Sequence, residues 1–214
     1  MTVQAKDWAL QGKSWQWAAK RTLDVSVAGA ALVALCPLLL LLACLIRLDS
    51  PGPVFFRQTR SGYRGVPFHI YKLRSMRAGR DPEFAEAQAE AARQGLLLKA
   101  GNDPRITRIG RFLRATSLDE VPQLWNVVMG QMSLVGPRPL MEFMLEPHPE
   151  FRRLRAQVRP GLTGLWQVRA RADNHSAQAM MPHDLEYLQQ FSLWLDLKIA
   201  LKTIPAVCCR HGAW

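Results

Sequence analysis

From Val25 to Ile46 the chain runs for 22 residues without a charged side chain. As a straight α-helix that stretch is about 33 Å long, enough for a bilayer core of about 30 Å. A cleaved signal peptide fits poorly. No small-residue cleavage site precedes a mature domain, and the chain continues through Arg47-Leu48-Asp49-Ser50-Pro51. A core helix of a soluble protein is a poor match to such apolarity. Lys13, Lys20 and Arg21 precede the run, and Arg47, Arg57, Arg60 and Arg64 follow it. Basic residues on both flanks give no orientation by the positive-inside rule, as if both ends stay on one side. Pro37 lacks the N–H that would bond the carbonyl of Val33, which favours a kink. A helix–break–helix that enters one leaflet and returns accounts for both features. A kinked spanning helix accounts only for the second.

The remaining sequence reads as one catalytic-sized unit. At 214 residues the chain can bury one good core. Lys and Arg number 28 against 17 Asp and Glu, a formal charge of +11, so the partner is anionic: nucleic acid, an acidic membrane surface or a phosphorylated substrate. Cys36, Cys44, Cys208 and Cys209 form no C-x-x-C pair, which argues against zinc and a disulfide scaffold. The five histidines show no ligand spacing.

Residues 1–20 carry Trp8, Trp15 and Trp17 with Lys6, Lys13 and Lys20, suiting a helix in the headgroup region or a plain soluble amphipathic helix. After the turn Ser50-Pro51-Gly52-Pro53, two β-type runs, Val54–Thr59 and Val66–Leu73, flank Ser61-Gly62-Tyr63-Arg64-Gly65 as a hairpin. Residues 82–94 read as an exposed helix and Thr107–Ala115 as a short basic one. Gly136-Pro137-Arg138-Pro139 is a rigid turn fixing one arginine, and Arg159–Gly164 is expected to be another loop of that kind. Ser192–Val207 has helical apolar spacing that suits a core-facing or an interfacial helix equally.

The chemistry concentrates at Asp119-Glu120, with Arg111 and Arg114 just upstream and Arg138 downstream. Paired acids can hold a divalent cation or attack phosphorus, while arginines hold anionic oxygens. A structural account competes with this. Ser117-Leu118-Asp119-Glu120 fits a capping box, Ser117 as N-cap and Glu120 at N3, opening a helix that runs through Leu124–Met129 to a C-cap at Gly130. Pro122 makes the first turn of such a helix irregular. Both accounts place the acids at a helix N-terminus, where the dipole favours negative charge.

In this order the motifs resemble the small monotopic phosphoglycosyl transferases, bacterial sugar transferases that move a phosphosugar onto polyprenyl phosphate. The resemblance runs from Lys20-Arg21-Thr22-Leu23-Asp24 to about Thr203. It is carried by Asp49–Gln58 (DSPGPVFFRQ), Lys72–Met76 (KLRSM), Asp103–Thr107 (DPRIT), Leu118–Leu124 (LDEVPQL), Ser133–Pro139 (SLVGPRP), Arg159–Gly164 (RPGLTG) and Asp196–Ile199 (DLKI). It implies a re-entrant membrane helix, an active site on the cytoplasmic face of the bacterial inner membrane and dependence on Mg2+. Asp119 would attack the β-phosphorus of a UDP-sugar and release UMP, and undecaprenyl phosphate would then take the phosphosugar. Glu120 would bind Mg2+, Arg114 would contact lipid phosphate, and Lys72 and Arg138 the nucleotide diphosphate. Arg74 and Arg105, within the same motifs, count as further candidate phosphate contacts. Alternatively, Lys72 and Arg74 are solvated strand charges, and Arg105, Arg108 and Arg111 form a basic face toward anionic lipid.

The expected fold is α+β and mostly helical: a re-entrant helix–break–helix, a small β-hairpin and interfacial amphipathic helices around a cytoplasmic catalytic core. Residues 1–48 would form the interfacial helix and membrane hairpin, and residues 49–214 the catalytic domain. The expected partners are a UDP-sugar, polyprenyl phosphate and anionic membrane lipid, not nucleic acid; a homo-oligomer is compatible with the chain. Three departures from the family pattern stand out: Cys36-Pro37 in place of Ser-Pro, Val121 in place of Leu, and Gln167-Val168-Arg169-Ala170-Arg171 in place of a Gln-Val-Asn/Ser-Gly-Arg loop. The competing reading is a basic membrane-anchored binding module without chemistry, and a third is a plain bitopic anchor. Nucleic acid is disfavoured because the arginine-rich stretch has no aromatic interleaving and Asp119-Glu120 would repel a polyanion.

Overall fold

A computed structural model describes residues 14–77, 90, 103, 105–170 and 176–208. The interfacial helix expected at the N-terminus falls largely on 1–13. That stretch, the expected helix over 82–94 apart from helical Glu90, and Arg171 lie outside the described residues.

The apolar run lies within one 36-residue helix, α1 (Ser14–Asp49), long and apolar enough to cross a membrane. α1 continues through Pro37 without the expected break in helical structure. Proline removes one backbone bond, and a helix survives that loss where neighbouring side chains are packed, as Leu38 and Leu39 are. One stripe of α1 is covered along nearly its whole length. Lys20, Asp24, Ala28, Leu42 and Ile46 are buried, and Ala31, Leu32, Leu35, Leu38 and Leu39 are partly buried. That spacing of three and four is one helix face. The other faces are bare and apolar, with Val33 77%, Leu40 64% and Leu48 84% exposed.

Both ends of α1 are fastened to the same body. Near its start, Lys20 Nζ donates to Asp196 Oδ2 at 2.6 Å and to the Val135 carbonyl at 2.9 Å. Asp24 accepts from Leu134 N and Ser133 Oγ. At its end, Asp49 Oδ2 accepts from Ile109 N at 3.0 Å. Lys20, Asp24 and Asp196 are buried with partners, as burial requires, and Asp49 is half-buried.

The hairpin forms as expected, with bounds moved by one or two residues. β1 (Phe55–Ser61) pairs antiparallel with β2 (Pro67–Leu73), from Phe55↔Leu73 to Ser61↔Pro67. α2 (Arg108–Thr116) follows, capped by Thr107 Oγ1 accepting from Gly110 N. Then come α3 (Gln123–Val128), β3 (Ser133–Val135), α4 (Glu142–Leu145), α5 (Pro149–Arg155), β4 (Gly161–Thr163), α6 (Leu165–Arg169), α7 (Ala177–Gln190) and α8 (Leu193–Cys208).

The stretch 159–164 is not simply a loop, as its Pro-Gly content suggested. Gly161–Thr163 is a strand parallel to β3. The pairing needs glycine: a Cβ on Gly161 would lie 2.1 Å from Gly136 N. α8 has both of the faces its spacing allowed. Asp196 and Ile199 are buried, whereas Trp194, Leu197, Leu201 and Ile204 are exposed. The largest core cluster joins Leu140, Met144, Leu145, Phe151, Trp166 and Met180. Leu113, wholly buried beside Leu42, Ile46 and Leu73, couples α2 to α1 and β2. Its truncation to Ala would cost about 2–5 kcal/mol.

Candidate active site

Ser117 does not cap a helix with its side chain. Its backbone is left-handed (φ 56, ψ 17), and it ends α2 by donating its N–H to the Arg114 carbonyl at 3.2 Å. The capping box is therefore replaced by a reversal of the chain, and Leu118–Glu120 form a single 3-10 turn. Nor does the α3 helix run on from the acidic pair. Pro122 cannot donate to the Leu118 carbonyl, so α3 begins only at Gln123. The consequence is chemical: the turn buries Asp119, 8% exposed, and leaves Glu120 half-buried.

α3 is locked to the hairpin by a side chain that local sequence patterns did not single out. Asn126, fully buried, donates through Nδ2 to the His69 carbonyl at 2.7 Å and accepts at Oδ1 from Tyr71 N at 3.1 Å. Asn126 thus satisfies two backbone groups of β2, next to Lys72. At the other end of α3, Arg21 donates to the carbonyls of Val127 and Val128, completing acceptors the helix terminus leaves open. Gly130, with φ 81, ends this segment as its composition suggested.

With β2 and the 3-10 turn so fixed, Lys72 Nζ lies 2.7 Å from Glu120 Oε1 and 4.0 Å from Asp119 Oδ2. Arg138 Nη2 lies 3.4 Å from the same Glu120 oxygen. Arg138 is aimed from the other side of its own peptide unit. Its carbonyl accepts a bond from Arg155 Nη2, whose Nε is 2.8 Å from buried Asp184 Oδ2. Burial pushes the Asp184 carboxyl up to about 6, against the pull of Arg155. Arg114 donates through Nε to Ser75 Oγ at 3.2 Å, and its charge acts on Asp119.

Burial raises the Asp119 pKa; Lys72 opposes that rise most strongly, Glu120 adds to it, and Arg114 and Arg138 oppose it. A buried carboxylate ringed by cations has lost its water shell but not its charge partners. That is the environment in which a carboxylate can serve as a nucleophile.

The structure brings Lys72, Arg114 and Arg138 to the acid pair. Among the described residues, Arg74 and Arg105 make their bonds elsewhere. Arg74 is buried, and its guanidinium donates to the carbonyls of Pro51, Ile46 and Ser50 and to Ser50 Oγ, closing the C-terminal end of α1. Arg105 holds Asp103 in a two-pronged ion pair, with Nη2 to Oδ2 at 2.6 Å. Arg108 and Arg111 are exposed on α2. Among the described residues no group of three or more His, Cys, Asp or Glu side chains could hold a metal. The acid pair offers two hard carboxylates, which suits Mg2+ shared with substrate phosphates and water rather than a closed protein cage.

Residues 15–210 match the family model of the bacterial sugar transferases. The chain is 48% identical over 205 residues to the UDP-glucose:undecaprenyl-phosphate glucose-1-phosphate transferase of Caulobacter vibrioides, covering 91% of this chain and 72% of that one. It is 42% identical over 200 residues to the exopolysaccharide production protein ExoY of Rhizobium meliloti, covering 92% and 88%. ExoY of Sinorhizobium fredii is 41% identical over 199 residues, covering 91% and 88%.

Proposed function

The chain belongs to the bacterial sugar transferase family, and from that membership we propose that it transfers a sugar-1-phosphate from a UDP-sugar to undecaprenyl phosphate through a covalent intermediate on Asp119. The observation that carries this reading is the placement of buried Asp119 beside Glu120, with Lys72, Arg114 and Arg138 converging on the pair.

In the first step a carboxylate oxygen of Asp119 attacks the β-phosphorus. The new P–O bond forms as the bond to the bridging oxygen breaks, and UMP leaves with the electron pair. In the second step an oxygen of undecaprenyl phosphate attacks the same phosphorus and returns Asp119 as a carboxylate. An anion attacks an anion in both steps. Cations must therefore neutralise the diphosphate, and Lys72 and Arg138 are poised to do so. Splitting the transfer in two also means that a soluble nucleotide and a membrane lipid need not occupy the site together.

Glu120, with Asp119 beside it, would hold Mg2+, which when bound withdraws charge from phosphate oxygens. Lys72 then has two tasks. It neutralises Glu120 before substrate arrives, and it can pass to a phosphate oxygen once Glu120 is otherwise engaged.

α1 would lie in the membrane with both ends on the cytoplasmic face of the inner membrane. Its support is the stripe of α1 covered by one body, with Lys20 and Asp24 fastened at one end and Asp49 at the other. A helix crossing the bilayer would carry one end away from that body. The bare apolar faces of α1 and the exposed Trp194, Leu197, Leu201 and Ile204 of α8 suit contact with lipid.

The test is release of UMP from a panel of UDP-sugars by nanodisc-held protein supplied with undecaprenyl phosphate and Mg2+. At least one sugar should yield UMP, and Asp119→Asn should abolish release while remaining folded. Wild-type turnover in folded Asp119→Asn would overturn the covalent step. No UMP from any UDP-sugar would overturn the donor.

A further inference from the structure

Arg60 sits where a guanidinium is hard to account for. It is the penultimate residue of β1, in register with Phe68. By the alternation of strand side chains, it shares a hairpin face with Gln58 and, across the ladder, with Ile70 and Lys72. The next residue, Ser61, donates its N–H to the Leu140 carbonyl at 3.0 Å, so this end of β1 is bonded to the chain just beyond Pro137-Arg138-Pro139. Arg60 therefore lies at the junction of the hairpin and the loop that presents Arg138.

Its contacts do not match its charge. Arg60 Nη2 donates to the neutral Gln58 Oε1 at 2.6 Å. Its Nε is buried and has no hydrogen-bond partner among the described residues. Burial pushes its pKa down to about 10, the neighbouring Arg138 pushes in the same direction, and Glu120 only partly opposes them. A half-buried guanidinium facing a like charge, with a buried donor left over, is unfavourable unless an anion completes it. The charges around it point the same way. Among the described residues, the cations Lys72, Arg138 and Arg60 all act on the one carboxylate Glu120, so cations outnumber acids around it.

We propose that Arg60 is a further binding residue of the donor site: with Arg138, its guanidinium takes phosphate oxygens of the nucleotide-sugar diphosphate, on the side released as uridine monophosphate. Guanidinium pairs suit that ligand, because each fork of N–H donors matches the oxygens of one phosphate. Lys72 and Arg114, reaching the acid pair from β2 and α2, leave the Arg60–Arg138 side for the leaving phosphate. The role presupposes that the chain uses a UDP-sugar, and the same chemistry could in principle serve the phosphate of the lipid acceptor, so the experiment separates the two.

Full-length wild type and Arg60→Met, held in nanodiscs, are melted with and without UMP and Mg2+, and KM is measured separately for the UDP-sugar and for polyprenyl phosphate. Methionine fills similar space without an unmet donor, so Arg60→Met should melt no lower than wild type without nucleotide. It should lose most of the UMP-induced rise in Tm. Its KM for the UDP-sugar should increase about tenfold or more, the loss of one charged hydrogen-bond partner, while KM for polyprenyl phosphate stays within twofold. Arg60→Lys should recover part of the nucleotide response. An unchanged UMP response in Arg60→Met overturns the proposal, as does a rise confined to the KM of the lipid phosphate. A variant that melts several degrees lower yet keeps its UMP response makes Arg60 purely structural and also overturns it. If wild type neither responds to UMP nor releases it, the donor reading itself fails, independently of Arg60.

Discussion

Lys72 is bonded to Glu120, Nζ to Oε1 at 2.7 Å, across 48 residues of chain. The bond ties the 3-10 turn to the hairpin, and the same ammonium lies 4.0 Å from Asp119 Oδ2. One cation thus stands against both acids, and at Asp119 its charge opposes the rise that burial brings.

As the proposed nucleophile, Asp119 would have to be ionised to attack, and its pKa is raised by burial against the pull of Lys72. Activity should therefore be lost as pH falls through that raised value. Lys72→Met removes the largest opposing charge, so the acid limb of kcat/KM should move to higher pH, with a rate loss on the order of 10²-fold at neutral pH. An acid limb that stays in place would separate Lys72 from the ionisation of Asp119.

Glu120→Gln keeps the shape of the turn and removes a hard anionic ligand. Turnover should fall about 10²–10³-fold, and the Mg2+ concentration giving half-maximal rate should rise, because a neutral amide holds Mg2+ poorly. Wild-type protein should lose activity in EDTA and regain it with Mg2+. Robust UMP release in EDTA would remove the metal from the mechanism.

Arg155 grips the carbonyl of Arg138 and is itself paired with Asp184 in the core. Removing one partner leaves a buried charge alone, and Arg155→Met should cost about 3–5 kcal/mol. The double variant Arg155→Met/Asp184→Leu removes both charges and should regain most of that stability. Neither variant can hold the Arg138 carbonyl, so the double variant should melt near wild type yet show a higher KM for the UDP-sugar. A double variant with wild-type KM would limit the pair to a role in folding.

Both ends of α1 bind one body, at Lys20 and Asp24 and again at Asp49. A cysteine placed at Gln4, in a background lacking Cys36, Cys44, Cys208 and Cys209, should resist an impermeant thiol reagent applied to intact cells. Pro37→Ala restores the bond to Val33 at the position where proline costs about 3 kcal/mol in a helix, and the straighter segment should then become partly labelled. Labelling of the unaltered Pro37 protein from the periplasmic side would establish a spanning helix.

Local chemistry made much of this protein legible. An uncharged 22-residue run reads as an apolar helix of membrane length, although the break expected at Pro37 did not form, and a Gly-rich turn between two β-type runs specifies a hairpin. Asp119-Glu120 and the proline-flanked Arg138 declared themselves because acids among arginines are costly without an anionic ligand or a metal. The left-handed Ser117 escaped notice, since a serine three residues before a glutamate has the local pattern of a cap. What opposed it was Pro122 and the burial of Asp119. Lys72 and Arg74 are two residues apart and point to the same side of the hairpin in a local reading. Only the packed structure sends one to Glu120 and the other to the carbonyls at the end of α1. The β3–β4 pairing, the lock made by Asn126 and the unmet donor of Arg60 depend likewise on partners far along the chain. Secondary structure follows from propensity over a few neighbouring residues, whereas a polar group's role depends on which donors and acceptors burial leaves within reach, and that is decided by the whole fold.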